Sequence, residues 1–313
     1  MVQTAAQQVL SLQPGNPLAA LDAPFLQAGE RILPLLEKQI DIDEFTPMVN
    51  VSFDVNDDLM VYASYSEGFK SGGFTQRVFP PIVAGFTAPP GTPDIDLIPT
   101  YEPEFVEVYE IGFKATLADD RVRLNGAAFH TDYDELQVQV FNSVAPGTEN
   151  IGAATIEGLE LELLASPGGG WLVEASLSYL NAEYDDINTS ITLIGEDFEF
   201  ERVPEFQASL GVSKEFQIDA FGTLVLRADW SHRSETYNDA FNTPLLETDS
   251  YHLLDASLRW TNPGGDWSVT FAARNITDEE YLVTGVYGTA FQVFEGTFDR
   301  GSQWRLEVRK DFN

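Results

Sequence analysis

The residues able to act as catalysts or metal ligands are few and scattered in this sequence. Its 313 residues include three histidines, His130, His232 and His252, and no cysteine. No HExxH pair, GxSxG elbow, Walker loop or GxGxxG turn occurs. His232 is near Glu235, but a polar histidine at a strand end is the commoner interpretation. We therefore expect no catalytic residue, no metal site, no cofactor and no enzymatic activity.

Acidic residues dominate the charged side chains. The chain has 50 acidic and 17 basic residues and a formal net charge of -33. This balance argues against nucleic acid, whose phosphates require lysine and arginine. Pairs such as Asp41/Asp43 and Asp185/Asp186 suit calcium or glycosidase chemistry, but solvated surface charge is favoured in so acidic a chain. A sharper alternative is an acidic mouth or lumen that concentrates cations or cationic chelates.

Six side chains in polar, loop-like stretches have the types that hold a small ligand. Aromatic rings stack on flat groups, and basic groups meet anionic ones. Binding residues are commonly carried by loops on a rigid scaffold, although packing of the loops on themselves is the commoner explanation for such residues. The candidate ligand-binding residues are Phe69, Lys70, Phe74, Arg77, Tyr237 and Phe241.

The elements that must position these loops are strands. From Phe45 onward apolar and polar residues alternate, as in Val49, Val51 and Phe53, and the closing strand repeats the pattern with Trp304, Leu306 and Val308 on one face. Strict alternation predicts a β-strand with one apolar and one polar face. Lys310 interrupts the apolar face near the end. About eleven strands are predicted, including one long strand over 121–140, with a loop over 142–150.

The connections between these strands differ in length in a regular way. Tight turns such as Asn56-Asp57-Asp58, Ala118-Asp119-Asp120 and Pro167-Gly168-Gly169-Gly170 alternate with loops of ten to thirty residues. Short turns at one end and long loops at the other are typical of outer-membrane β-barrels. The fold class predicted is all-β, an antiparallel transmembrane β-barrel. The alternatives are a soluble secreted acidic β-sandwich that binds a ligand and, less favoured, a small outer-membrane barrel enzyme.

Aromatic residues near strand ends fit the interfacial girdles of such a barrel. They are Trp171, Trp260, Trp267, Trp304 and Tyr65. No run of about eighteen apolar residues predicts a membrane helix. No internal repeat beyond the hairpin itself is expected.

Several stretches resemble one known family. The segment from Tyr62 to Phe74, YASYSEGFKSGGF, resembles a barrel strand and the following surface loop of TonB-dependent outer-membrane receptors. Tyr101-Glu102-Pro103-Glu104 followed by Tyr109-Glu110-Ile111-Gly112-Phe113-Lys114, and Asn275-Ile276-Thr277-Asp278-Glu279-Glu280-Tyr281, resemble two later passages of the same barrel. The aromatic Phe312 near the end is similar to the family's closing residue.

The resemblance implies a function, a location and partners. A barrel of about 22 strands, plugged by an N-terminal domain, would bind a scarce nutrient such as an iron-siderophore complex and import it across the outer membrane of a Gram-negative bacterium. The implied partners are outer-membrane lipid, the TonB complex acting on the plug, a small metal chelate, and the barrel assembly machinery at the last strand. No nucleic-acid partner is expected.

The chain organisation follows from the same resemblance. We expect residues 1–42 to be a poorly structured loop remnant and residues 43–313 to form the C-terminal half of the barrel, with the plug absent. Residues 1–20 do not form a signal peptide, so a truncated or split gene is expected. An odd strand count makes the first and last strands parallel. We therefore expect an open half-barrel with edges at Phe45–Val55 and Gln303–Phe312.

Overall fold

The computed structural model describes residues 39–74, 100–142, 145–188, 194–288 and 293–312. The chain divides into two compact units. The larger unit comprises residues 45–69, 105–136 and 151–313, and the smaller comprises residues 1–44, 70–104 and 137–150. The predicted loop remnant over residues 1–42 falls mostly outside the described residues, so its boundary at residue 43 stays a prediction.

The described residues form nineteen β-strands and two 3-10 helices, Asp219–Phe221 and Pro244–Leu246. The strands are β1 (Met48–Asn56), β2 (Leu59–Lys70), β3 (Gly73–Phe74), β4 (Thr100–Tyr101), β5 (Glu104–Leu117), β6 (Val122–Asp134), β7 (Gln137–Asn142), β8 (Ala145–Asn150), β9 (Gly152–Gly168), β10 (Trp171–Ile187), β11 (Phe206–Ile218), β12 (Gly222–Arg233), β13 (Thr236–Tyr237), β14 (Glu247–Thr248), β15 (Tyr251–Thr261), β16 (Trp267–Arg274), β17 (Leu282–Gly288), β18 (Val293–Phe298) and β19 (Gln303–Lys310).

One large sheet organises the described part of the chain. It has eleven strands in the order β1-β2-β5-β6-β9-β10-β11-β12-β15-β16-β19. Its strands follow one another in chain order, and the recorded pairings between neighbours are antiparallel. Strands β1 and β19 are its two edges, as predicted. The antiparallel barrel fold and the count of eleven strands are thus confirmed, and the single sheet does not fit the sandwich alternative.

Each strand of this sheet has one apolar and one polar face. In the β10–β11 pair, Val173 lies opposite Val212, whereas Glu174 lies opposite Gly211 on the other face. The apolar side chains stay exposed: Ile111 is 63% and Leu306 69% accessible. A sheet that leaves its apolar face uncovered is suited to contact with lipid.

The connections within the sheet confirm the predicted difference in length. At one end, the turns between sheet strands have two to five residues, whereas connections at the other end have 17 to 33. We call these the short-turn end and the long-loop end. In the turn after β5, Ala118, Asp119 and Asp120 have φ of 57°, 55° and 63°. In the first turn, the Asn56 side chain accepts a hydrogen bond from the Asp58 backbone N–H at 2.8 Å.

The predicted single strand over residues 121–140 is wrong. Strand β6 ends at Asp134, Glu135 adopts the left-handed φ of 54°, and Gln137 begins the separate strand β7. Buried Leu136 exchanges backbone hydrogen bonds with Gly152 and Ile151, at 2.8 and 2.9 Å, which holds the break in place. The loop predicted over residues 142–150 contains β8, which pairs with β7 in a hairpin.

The smaller unit contains two two-stranded sheets, β3–β4 and β7–β8. Buried Gln137 donates side-chain hydrogen bonds to the backbone oxygens of Ser71 and Glu102, at 3.2 and 3.0 Å. Asn150 also donates to the Glu102 oxygen, at 3.0 Å. The side-chain amides of Gln137 and Asn150 therefore join the β7–β8 hairpin to the backbone at Ser71 and Glu102.

Candidate functional site

The long-loop end of the larger unit carries three connections with structure of their own. They run between β10 and β11, between β12 and β15, and between β16 and β19, and we call them loops A, B and C. Loop B contains the hairpin β13–β14 and the 3-10 helix Pro244–Leu246, and loop C contains the hairpin β17–β18. The sequence predicted all three as loops but not the hairpins in them.

Loop B is held to loop C by buried polar groups. The Asn238 side chain donates to the Leu246 backbone oxygen and to the Thr248 hydroxyl, at 2.9 and 2.8 Å. The Thr248 hydroxyl in turn donates to the Leu282 backbone oxygen in loop C, at 2.9 Å. Leu246 is 1% exposed beside Gly285, where a Cβ would approach the Leu246 side chain to 2.7 Å. A side chain at position 285 would therefore have to displace the buried Leu246 side chain.

Loop A is held to both other loops. The Asn242 side chain accepts from the Glu199 backbone N–H at 2.7 Å and donates to the Glu199 backbone oxygen at 2.9 Å, which imitates a strand pair. The Arg202 backbone N–H donates to the Tyr237 oxygen of loop B at 2.9 Å. The Arg202 guanidinium donates to the Thr284 hydroxyl of loop C at 2.8 Å. The three loops are thus tied pairwise.

A cleft of about 240 Å³ lies between loops A and B and the half of β10 that leads into loop A. Three of its lining residues are carboxylates, Glu199, Glu205 and Glu235. Partial burial raises the pKa of Glu199, and the negative charges of Glu235, Glu247 and Glu205 raise it further. An acidic cleft of this kind attracts cationic groups and repels anionic ones.

The six predicted ligand-binding residues do not form one described cluster. Tyr237 and Phe241 both lie on loop B, half-buried. Burial, with the carboxylates of Glu247, Glu199 and Glu235, raises the pKa of Tyr237, so its phenol remains a neutral hydrogen-bond donor. Phe69 is exposed near the end of β2.

The other three candidates belong elsewhere. Lys70 and Phe74 belong to the smaller unit, where the Lys70 ammonium lies 3.9 Å from a Glu104 carboxylate oxygen and Phe74 pairs with Thr100. Arg77 lies outside the described residues. The ligand-binding role of all six residues stays a prediction.

Sequence reasoning did not single out Asn242, Arg202, Glu199 or Glu205, and it considered Glu235 only as a neighbour of His232. From the sequence, acidic pairs such as Asp185/Asp186 are interpreted as solvated surface charge. Asn242 and Glu199 are 43 residues apart, so no local pattern marks their contact. The only available signal was the concentration of acidic residues in predicted loops.

The polar face of the sheet carries a charged network at mid-strand. The Arg227 guanidinium on β12 donates to Glu174 on β10 at 2.6 Å and to Asp229 at 2.9 Å. The link crosses β11 at Gly211, where a Cβ would lie 2.8 Å from the Arg227 Nη2 atom and 2.8 Å from the Asp229 Oδ1 atom. The open cavity above this network has a volume of about 610 Å³. Ordered charge on this face suits a water-filled or protein-filled lumen.

The motif from Asn275 to Tyr281 is a structural turn. The Asn275 side chain donates to the Glu279 backbone oxygen and the Asp299 carboxylate, at 2.8 and 3.2 Å, and accepts from the Glu279 N–H at 2.9 Å. Asn275 is 5% exposed and has a φ of 47°. The Asp278 carboxylate accepts from the Ser302 N–H at 2.7 Å, just before β19. The motif therefore closes the base of loop C.

The described residues contain no group of three or more histidine, cysteine or acidic side chains placed to hold a metal ion. The imidazole of His232 lies 3.2 Å from the Tyr251 backbone oxygen and stacks on His252, with 4.4 Å between ring centres. No helix in the described part of the chain is long and apolar enough to span a membrane.

Solved structures similar to this chain are siderophore receptors. The ferric yersiniabactin uptake receptor FyuA from Yersinia pestis superposes with a TM-score of 0.68 at 22% identity, over 85% of this chain and 37% of that one. The siderophore receptor PiuA from Acinetobacter baumannii superposes with a TM-score of 0.61 at 21% identity, over 84% and 35%. At these identities the likeness concerns the fold.

Sequence relatives bear related names. The "Probable TonB-dependent siderophore receptor PiuA" of Acinetobacter baumannii is 25% identical over 189 residues, which cover 58% of this chain and 24% of that protein. The "Ferric-pyoverdine BN7/BN8 receptor" of Pseudomonas putida is 27% identical over 150 residues, or 47% and 16%. The matched part is thus no more than a quarter of each relative's length.

The family match is broader than these pairwise ones. Residues 28–276 match the family described as "TonB dependent receptor-like, beta-barrel". This range contains most of the eleven-stranded sheet, together with loops A and B. The chain therefore belongs to the TonB-dependent receptor β-barrel family, whose members lie in the outer membrane.

Proposed function

We propose that this chain serves the uptake of an iron-siderophore complex across the outer membrane, as part of a receptor. The observation that carries the proposal is the family match over residues 28–276, together with relatives named as siderophore receptors. The exposed apolar face of the sheet and its ordered long-loop end support a membrane receptor rather than an enzyme.

The acidic cleft suggests the character of the ligand. Glu199, Glu205 and Glu235 line it, and the pKa of Glu199 is raised by partial burial and, further, by the neighbouring carboxylates. A chelate that presents neutral or cationic groups to these loops is favoured over a strongly anionic one. Tyr237 and Phe241, on the same loop as Glu235, offer rings on which a chelate stacks.

The partners proposed are those of a TonB-dependent receptor. The TonB complex would act on a plug held against the polar face of the sheet, where the Arg227 network offers charged contacts. The assembly machinery would recognise the last strand, β19, and Phe312. Outer-membrane lipid would cover the apolar face.

Binding to the full 313-residue chain in detergent micelles tests the ligand. Purified chain is titrated with ferric pyoverdine, a ferric catecholate and a ferric hydroxamate, and retained iron is measured after gel filtration. We expect one ferric complex to bind, and the iron-free siderophore to bind more weakly. The variant carrying Tyr237→Ala and Phe241→Ala should weaken binding about tenfold, as expected when rings that stack on a ligand are lost.

The matched control is Phe221→Ala, which removes an exposed aromatic ring at the short-turn end. It should leave binding unchanged. If no ferric complex binds to folded chain, the proposal does not hold for this part of the receptor. If binding is equal in the loop variant and the control, Tyr237 and Phe241 are not ligand contacts.

A further inference from the structure

Two lysines lie on the apolar face of the sheet. Within the eleven described sheet strands, Lys214 on β11 and Lys310 on β19 are the only lysine or arginine residues on this face. All other basic residues of these strands, such as Lys114 and Arg227, alternate onto the polar face. Both lysines are next to the short-turn end. A charge on a lipid-facing surface requires a specific explanation because its burial in hydrocarbon is costly.

Each lysine contacts two aromatic rings in the same way. The Lys214 ammonium lies 5.0 Å from the ring centre of Trp171 and 5.3 Å from that of Phe216. The Lys310 ammonium lies 4.7 Å from Trp267 and 5.4 Å from Phe312. The tryptophan is directly opposite the lysine on the neighbouring strand in both cases. We call these two groups the Trp–Lys–Phe clusters.

The two clusters belong to a repeat in the sequence. Trp171 and Trp267 are 96 residues apart, and so are Lys214 and Lys310. The same offset relates further identical pairs: Pro167 and Pro263, Gly168 and Gly264, Gly169 and Gly265, Val173 and Val269, Gln207 and Gln303, Leu210 and Leu306, Val212 and Val308, and Phe216 and Phe312. Each copy of this repeat is one pair of neighbouring antiparallel strands, so the repeating unit is the hairpin itself. Two separated hairpins place the same three side chains at the same rim.

The other end of the apolar face has the opposite charge. There His130 lies between the carboxylates of Glu157 and Asp132, at 2.9 and 3.0 Å. The Tyr109 hydroxyl donates to Glu107 at 3.2 Å. Lysine on this face is thus confined to the short-turn rim, in a chain whose formal net charge is -33.

Neither ammonium is saturated by the protein. An ammonium has three N–H donors. Lys214 donates to the Gly169 backbone oxygen, and the Lys310 nitrogen is 4.0 Å from an Asp266 carboxylate oxygen. The aromatic rings lie against the lysine side chains, so each ammonium can remain at the interface.

We propose that each Trp–Lys–Phe cluster binds the headgroup phosphate of a glycerophospholipid in the leaflet at the short-turn end. The ammonium pairs with the phosphate, and the two rings lie against the glycerol and the first acyl carbons. The positive charge of the cluster complements the negative phosphate. Because the cluster adjoins the exposed apolar face, the acyl chains of the bound lipid would lie along that face. Two copies predict two such lipids.

The test uses the full chain in dodecyl maltoside micelles, titrated with dioleoylphosphatidylglycerol and followed by native mass spectrometry. Two lipids should be retained by the wild-type chain. Lys214→Gln and Lys310→Gln should each weaken one site about fivefold, the effect of one lysine at an anionic surface. Lys114→Gln, which removes a lysine from the polar face, is the matched control. The variant with Lys214→Arg and Lys310→Arg should retain both lipids.

Circular dichroism of each variant verifies the strand content, so only folded chains are compared. Retention of dioleoylglycerol as strong as that of the phospholipid would mean that apolar contact alone holds the lipid, and would overturn the proposal. Unchanged phospholipid affinity in the variant carrying both glutamines would overturn it as well. Displacement of the lipid by an equal concentration of inorganic phosphate would assign the clusters to free phosphate instead.

Discussion

Asn275 should be the most sensitive polar residue of loop C. Replacing it with alanine removes three side-chain hydrogen bonds, two to the backbone of Glu279 and one to Asp299. The residue is 5% exposed, so water does not readily replace them. Its φ of 47° also lies in the left-handed region, which costs alanine more free energy than asparagine.

The expected loss is worked from these contacts. A buried hydrogen bond contributes about 1 kcal/mol, so the three together contribute about 3 kcal/mol. The left-handed backbone adds about 1 kcal/mol for alanine. Asn275→Ala should therefore lower the free energy of unfolding by about 4 kcal/mol. Asn275→Gly loses the same hydrogen bonds without the backbone strain, and should cost about 3 kcal/mol.

Urea unfolding of the chain in detergent micelles measures these differences. Hydrogen exchange locates them, because the Glu279 N–H loses its acceptor and should exchange faster in both variants. A suitable control is Thr277→Ala, an exposed position in the same motif. Equal stability of Asn275→Ala and wild type, or a glycine variant less stable than the alanine variant, would refute the reasoning.

Two further predictions concern the polar face and the loops. Gly211→Ala should displace the Arg227 guanidinium from Glu174. Because this ion pair is partly exposed, the change should lower the free energy of unfolding in urea by only about 1 kcal/mol. In a chain that already carries Glu174→Gln, Gly211→Ala should cost less, and an equal cost in the two backgrounds would contradict this coupling. Partial burial raises the pKa of both Glu199 and Glu201, so the folded state binds these protons more tightly than the unfolded state. Loop A should therefore become more stable as pH falls through the raised folded-state pKa of these carboxyls toward their ordinary pKa, and lose that stability as pH rises through the folded-state pKa. Hydrogen exchange corrected for its intrinsic pH dependence measures this effect, and a variant carrying Glu199→Gln and Glu201→Gln should show little of it.

The strands could be predicted from the sequence because their side chains meet two different solvents. The alternation of Trp304, Leu306 and Val308 with Gln303, Arg305 and Glu307 is local and needs no knowledge of distant residues. The turns were equally legible, because sequences such as Asn56-Asp57-Asp58 carry their own backbone preference. The family resemblance then identified the barrel.

Two kinds of feature could not be predicted from the sequence: the break in the strand expected over residues 121–140, and the hairpins within the loops. Glu135 has no sequence feature that marks a left-handed backbone. The backbone of Leu136 is hydrogen-bonded to Ile151 and Gly152, which no local pattern relates to it. The hairpins β13–β14 and β17–β18 depend on contacts such as Thr248 with Leu282, 34 residues apart. The repeat of the Trp–Lys–Phe clusters was missed because its identical residues are spread over two hairpins.

The pairwise ties among loops A, B and C have a mechanical consequence. Asn242 joins A to B, Thr248 joins B to C, and Arg202 joins C back to A. Each loop is therefore bonded to both of the others, and it cannot move away from them unless its hydrogen bonds to both loops break. The three loops should then move together, so that a force that displaces one loop displaces the other two as well.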